Sequence, residues 1–320
     1  MKTTKVVNNR GLSGKSTMRW GTYMRRYGTL YLLLVLPLAF FVIFRYTPMS
    51  YILLAFKKNN IITPLFQVPW AKQNGFEWFI KAFNDDNFKQ ALTNTITLNL
   101  LDLAIGFPAP VLIALLLNEL TNKAFKRITQ TIIYLPHFLS WIIISSLALK
   151  LFAPTDGLVN LWINSLGGES IHFLDEPGHW VWTYIFLGIW KEAGWGTIIY
   201  LAALTGISPE LYEAASVDGA GRFRKIWHVT LPGLRPTIVT LLIMRMGSIL
   251  GSEFDRPYAM TNNLVTSVSN VISVFVYNRG VKGLQYSLST AVGLFQSVVG
   301  VIFLLLANSL SKRLGERGIW

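Results

Sequence analysis

The sequence predicts an all-α fold: a polytopic integral membrane helical bundle of about six transmembrane helices. Three observations predict it. Hydrophobic residues make up 52% of the 320 and charged residues only 14%, against roughly 25% charge in a soluble domain. The apolar residues fall in long, nearly uncharged runs. None of these runs alternates with period two, and a bilayer accepts only helices or closed barrels, so strands are set aside. A disordered chain, a coiled coil and an ordinary soluble enzyme do not fit this composition. With no cysteine present, disulfide frameworks, cysteine-bound zinc or iron–sulfur clusters and thiol catalysis are excluded.

The elements follow in order. Residues 27–44 carry no charge. Lys2, Lys5, Arg10, Lys15, Arg19, Arg25 and Arg26 precede them, as in a signal peptide, but no small-residue cleavage pattern follows. The segment reads as an uncleaved first span, with Arg45 snorkelling at its outer end. The second span covers about 90–118, with Asp102 inside. The third, 128–149, has only His137 as a possible charge. The fourth, 180–204, is interrupted by Lys191 and Glu192. The fifth, 238–251, encloses Arg245 and is short enough to extend through Ser252 and Phe254. The last, 284–310, is uncharged and ends at Lys312 and Arg313. Each approaches the length needed to cross about 30 Å of hydrocarbon at about 1.5 Å per residue.

The formal net charge of +13 suits either nucleic acid or a membrane protein's cytoplasmic loops. Its distribution decides. Residues 1–26 hold seven Lys or Arg and no acid. Lys123, Lys126 and Arg127 follow the second span; Arg222, Arg224, Lys225 and Arg235 follow the fourth; Lys312, Arg313 and Arg317 follow the last. Residues 153–179 have no Lys or Arg but contain Asp156, Glu169, Asp175 and Glu176. The positive-inside rule puts both termini and the 205–236 loop in the cytoplasm. Segment 45–89 breaks the alternation with Lys57, Lys58, Lys72, Lys81 and Lys89, and long loops translocate with less regard to charge. The expected organisation is a basic cytoplasmic tail (1–26), a first span with an external segment (27–89), a transmembrane core (90–310) containing the 205–236 loop, and a cytoplasmic tail (311–320). No nucleic-acid partner is expected.

Gly14-Lys15-Ser16 resembles the end of a phosphate loop, but that motif needs a glycine where Asn9 stands, and a strand before it. The chain is expected to hold no nucleotide itself. The 205–236 loop is more informative. Ser208 suits a helix N-cap, Pro209 the first helical position, and Glu210 the positive end of the dipole. Gly219 or Gly221 can end that helix with positive φ. A second short helix, about 222–228, is expected to stop before Pro232. Small Ala214, Ala215 and Gly219 allow another surface to approach closely.

Glu213-Ala214-Ala215, then Gly219 after three residues, then Val229, Leu231 and Pro232 after nine more, resembles the EAA loop of binding-protein-dependent ABC importer permeases. Val229 stands where that pattern has isoleucine. Asp218-Gly219-Ala220 with Phe223 is similar to the maltose-type sugar branch. Asn94-Thr95, Trp190-Lys191, 201–204 with Gly206-Ile207, 271–277, 285–287 and 291–297 extend the resemblance, the later blocks toward the complex-polysaccharide permease subgroup.

The resemblance implies a type I importer permease fold in the bacterial plasma (inner) membrane. It implies a second related permease subunit, two ATP-binding subunits that carry the ATP and Mg, an extracytoplasmic solute-binding protein and a saccharide substrate. Glu213, Ala214, Ala215, Asp218, Gly219, Leu231 and Pro232 would then couple the ATPase to the spans. Arg222, Arg224 and Lys225 would pair with acids on the ATPase or sit among water and lipid headgroups.

Charges inside spans need a partner or a water-filled path. Asp102, Lys191, Glu192 and Arg245 therefore either pair within and between subunits or line a translocation path. Trp190 and Trp195 either present aromatic faces to sugar rings or pack and anchor. Glu253, Phe254 and Asp255 lie at the outer mouth or inside it. The four histidines are scattered, so no metal site is expected. An acidic oligosaccharide, alginate- or pectin-like, would suit Lys191 and Arg245. The rival functions are an ABC permease for amino acids, polyamines or phosphate, an ion-driven secondary transporter, and a membrane glycosyltransferase, for which positioned carboxylates on an aqueous domain are missing.

Overall fold

The computed structural model describes residues 20–60, 62–251, 253–313, 315, 318 and 319. The Gly14-Lys15-Ser16 tail, Ser252 and Arg317 lie outside the described residues. The chain forms two compact units, 1–53 and 54–320. The first holds helix α1 (Trp20–Phe41), which runs through a π-turn, Val42–Tyr46, into Thr47–Met49.

The second unit contains α2 (Glu77–Asn84), α3 (Asp86–Asn118), α4 (Lys123–Tyr134), α5 (Trp141–Leu151), α6 (Leu158–Ser165), α7 (Pro177–Leu204) and α8 (Pro209–Val217). It continues with α9 (Arg222–Gly247), α10 (Asp255–Met260), α11 (Thr266–Ser269), α12 (Ile272–Val276) and α13 (Tyr286–Arg313). Among the described residues there is no β-strand, only an isolated bridge between Lys57 and Trp70.

All six expected apolar segments are helical, but they differ as spans. Tyr23–Phe56, Asp86–Asn118, Arg222–Gly247 and Tyr286–Arg313 are long and apolar enough to cross a membrane. The third segment is not straight: Lys123–Phe138 and Trp141–Leu151 meet at 102°. Pro136 and a stretch of extended backbone at Leu139 break it, and Ser140 starts the next helix by accepting a hydrogen bond from the Ile143 amide. The fourth, α7, has 28 residues, about 42 Å of helix. Lys191 and Glu192 lower its apolarity, and it is buried along much of its length between neighbouring helices.

Prolines explain the long helices' irregularities. The π-turns Val42–Tyr46, Asp102–Gly106 and Ile226–Thr230 each end just before a proline: Pro48, Pro108 and Pro232. Proline donates no amide hydrogen and clashes with the carbonyl four residues back. A π-turn bonds i to i+5 and moves that carbonyl aside, as in the Phe107 amide to Asp102 carbonyl bond of 2.9 Å. Pro232 therefore does not end a short helix at 228, as the sequence led us to expect; α9 is continuous from Arg222 to Gly247. The fifth span accordingly extends toward its N-terminus and not through Phe254. It stops where Asn99 and Gln296 donate to the carbonyls of Ile249 and Leu250, each at 2.7 Å.

Three apolar clusters hold the second unit. Trp141, Trp180, Tyr184, Met260 and Val271 centre one; Phe88, Ile272, Phe275 and Leu288 the next; Val111, Leu115, Tyr200 and Leu234 the third. Two lysines of segment 45–89 are engaged locally. Buried Lys57 donates to the carbonyls of Phe66 and Val68 at 3.3 and 2.9 Å, and Lys89 pairs with Asp86 at 2.8 Å. The Asn94-Thr95 motif is a clamp. Asn94 donates to the carbonyls of Ser267 and Asn270, at 2.9 and 3.0 Å, and the buried Thr95 hydroxyl accepts from the Ile272 amide at 2.9 Å.

Thr95→Val keeps the shape and orphans that amide, so it should destabilise the folded protein by about 1–3 kcal/mol. Thr95→Ser should be near wild type. Unfolding midpoints of the purified protein in detergent check this.

Candidate functional site

A cavity of about 750 Å³ opens between α3, α7 and α9 and the turn leading into α10. One face of α7 supplies Gly188, Lys191, Glu192, Trp195, Gly196 and Ile199, the i, i+3, i+4, i+7 pattern of a single helix face. The structure thus brings together Asp102, Lys191, Glu192, Trp195 and Arg245 of the expected translocation residues. Trp190 is not with them: it sits two positions from Gly188, roughly 200° round the helix, and its half-exposed ring points away from the cavity lining.

Most of these charges are paired. The largest pairing was not anticipated, because it uses Arg256. This side chain is 7% exposed and meets Asp102, 12% exposed, with Nη1 to Oδ2 at 2.7 Å and Nη2 to Oδ1 at 3.4 Å. Nη2 also donates to the Tyr184 carbonyl, and the guanidinium lies 3.7 Å above the Tyr184 ring. Gly188 makes the room: a Cβ there would coincide with the guanidinium. Asp102 opens the π-turn of α3, so the wide turn that accommodates Pro108 also sets the carboxylate facing Arg256.

A second group surrounds Lys191. Its buried ammonium donates to Glu192 Oε1 at 2.8 Å and to the His137 carbonyl at 3.0 Å. That carbonyl lies at the bend after α4, where the helical ladder is interrupted. Glu192 Oε2 meets His137 Nδ1 at 2.9 Å, and the His137 ring stacks on Trp195 at 4.5 Å and 3°. Trp141 Nε1 donates to Glu253 Oε1 at 2.8 Å, while Lys191 and Arg256 both lie over the Trp141 ring.

Arg245 is the exception. It lines the cavity from α9, is exposed to it, and its guanidinium has no hydrogen-bond or ion-pair partner among the described residues. The cavity therefore combines one unpaired cation, a flat Trp195–His137 stack and several fixed polar groups, a set suited to an anionic ligand with apolar ring faces. Among the described residues no cluster of His, Asp and Glu is placed to hold a metal ion.

The second expected site is α8 and the turn after it. Pro209 opens α8; Ser208 stands at the N-cap position, but its side chain makes no capping bond. Gly219, at φ +71°, ends the helix. Its amide bonds to Ser216 at 3.1 Å and the Ala220 amide to Ala215 at 2.8 Å, a Schellman closure. Glu213, Ala214, Asp218 and Gly219 are exposed, Ala215 is half-buried, and Leu231 and Pro232 lie in α9. Tyr212 bonds to Thr230 at 3.1 Å and Lys225 to Ser216 at 2.7 Å, tying α8 to α9. The outer edge is apolar and uncovered, with Val217 88% and Phe223 89% exposed.

Residues 106–316 match the model of the family described as binding-protein-dependent transport system inner membrane component. The chain belongs to this family. It is a transport component and an inner-membrane permease by that membership. It is 44% identical to Protein LplB of Bacillus subtilis (strain 168) over 309 residues, 97% of this chain and 96% of that protein. It is also 44% identical to the polygalacturonan/rhamnogalacturonan transport system permease protein YteP of the same strain, over 91% of this chain and 90% of that one. Among solved structures, a chain of a bacterial alginate ABC transporter, in complex with an alginate pentasaccharide-bound periplasmic protein, superposes with a TM-score of 0.85. That chain is 37% identical, and the match covers 94% of this chain and 100% of that one. The likeness spans both the cavity and the α8 knob.

Asp102→Ala would strand the buried Arg256 guanidinium and should cost about 3–5 kcal/mol of stability. The double variant Asp102→Leu/Arg256→Met removes both charges and should recover most of it. Thermal unfolding of the two proteins, compared side by side, checks the pairing.

Proposed function

We propose that this chain is one half of the transmembrane pore of an ATP-driven bacterial importer for acidic oligosaccharides, fragments of a pectin- or alginate-like polymer. The observation that carries this reading is the cavity in which Asp102 pairs with Arg256, Lys191 pairs with Glu192, Glu253 accepts from Trp141, and Arg245 alone among the cations has no carboxylate among the described residues. Arg245 lies in the last turn of α9 and faces the cavity, so a uronate carboxylate would pair with it only while substrate is bound. The Trp195–His137 stack offers a flat face to a pyranose ring. The relatives named for polygalacturonan/rhamnogalacturonan and alginate transport support the acidic class.

The assembly would comprise this chain, a second related permease, two ATPase subunits carrying ATP and Mg, and an external solute-binding protein. The charge distribution supports cytoplasmic termini and a cytoplasmic α8. There the exposed edge of Val217 and Phe223, with Glu213, Ala214, Ala215, Asp218 and Gly219, would seat in the ATPase. Closure of the ATPase would move α8, and α8 is tied to α9 through Tyr212 and Lys225. The helix α9 then carries Leu231, Pro232 and, at its far end, Arg245.

Two variants test the two halves in the reconstituted importer. Gly219→Trp places a bulky side chain at positive φ on the docking edge; it should abolish uptake and binding-protein-stimulated ATP hydrolysis while the chain still inserts. Uptake at the wild-type rate would contradict the coupling role. Arg245→Met should weaken import of galacturonate oligomers about tenfold or more and leave a neutral oligosaccharide, if carried at all, unaffected. An equal loss for both substrates would contradict the carboxylate role.

A further inference from the structure

The turn that carries Arg256 into the cavity presents a second surface outside the cavity lining. Phe254 and Tyr258 stand four residues apart and stack, with ring centroids 4.7 Å apart at 24°. Tyr277 joins them, 4.9 Å from Phe254 and 5.2 Å from Tyr258, edge-on to the latter at 75°. Lys282 leans over both tyrosines, its Nζ 5.5 Å from the Tyr258 centroid and 5.2 Å from that of Tyr277. Tyr277 and Lys282 are the first and last residues of one π-turn, a local irregularity that holds ring and ammonium together.

Aromatic corners that only pack a fold often carry a cation as well, as Lys81 does over Trp78. This one leaves Tyr258 and Lys282 exposed, and Lys282 has no carboxylate partner among the described residues. Glu253 and Arg256, immediately beside Phe254 and two positions before Tyr258, line the cavity. One short stretch of backbone therefore carries both surfaces. Aromatic faces bind the C–H face of a sugar ring, and an ammonium held over them adds a charge-assisted bond to a carboxylate.

We propose that Phe254, Tyr258, Tyr277 and Lys282 form a second saccharide subsite at the rim of the cavity, where the rings hold one uronate unit and Lys282 its carboxylate. This rests on the acidic-saccharide reading above. A subsite outside the cavity is reached only by a substrate long enough to occupy both, so its contribution grows with chain length.

The test uses the complete importer in proteoliposomes with its solute-binding protein, and digalacturonate and pentagalacturonate as probes. Lys282→Met and Tyr258→Ala should each raise the half-saturating concentration of pentagalacturonate about tenfold. Both should leave digalacturonate uptake and basal ATP hydrolysis unchanged. Lys282→Arg and Tyr258→Phe should restore wild-type length dependence. If the variants affect neither probe, or both equally, the rim subsite is overturned while the importer reading stands. If the wild-type importer carries neither these probes nor alginate oligomers of the same lengths, the acidic-saccharide reading falls and the subsite with it.

Discussion

The buried ion pair between Asp102 and Arg256 is the contact on which the site depends. It joins α3 to α10 across the middle of the second unit, and three features exist to allow it: the π-turn that presents Asp102, the missing side chain at Gly188, and the Tyr184 ring and carbonyl beneath the guanidinium. Taking two charges out of water costs several kcal/mol per ion, and only good geometry with further hydrogen bonds offsets this. Here the geometry is bidentate and the extra acceptor is present. Arg256 Nε stays buried without a partner, but Asp102 and Arg256 are paired with each other and Lys191 with Glu192 and the His137 carbonyl, so Arg245 is the cation in the cavity that remains available.

Helix α9 gives this arrangement its mechanical meaning. It runs unbroken from Arg222, beside the α8 knob, to Gly247, just past Arg245. The distance from Arg222 to Arg245 is about 35 Å of helix. Pro232 would interrupt an ordinary helix there, and the π-turn Ile226–Thr230 is what preserves continuity. Tyr212 and Lys225 fasten α8 to the same rod. In the proposed coupling, a displacement at the knob would reach the cavity cation through this one element.

Much of this was legible in the sequence. Charges inside apolar runs stand out, which is how Asp102, Lys191, Glu192 and Arg245 were found. The helical spacing of 188, 191, 192 and 195 separates Trp195 from Trp190. Arg256 was illegible for the opposite reason: it follows Asp255 in a short, mixed segment with no periodicity, and its partner is 154 positions away. The bend at Pro136–Ser140 had a local signal, a proline inside an apolar run followed by a serine N-cap, but its consequence, a free carbonyl for Lys191, is tertiary. The continuity of α9 through Pro232 is not legible locally, because proline rules describe α-helical bonding and the chain here changes to π-bonding.

The most direct measurement is a structure of the assembled importer with an acidic oligosaccharide trapped in the permease cavity. The account predicts a substrate carboxylate on the Arg245 guanidinium, with Asp102 and Arg256 still joined to each other. A trapped saccharide with Arg245 paired instead to a carboxylate of the second permease subunit would contradict it.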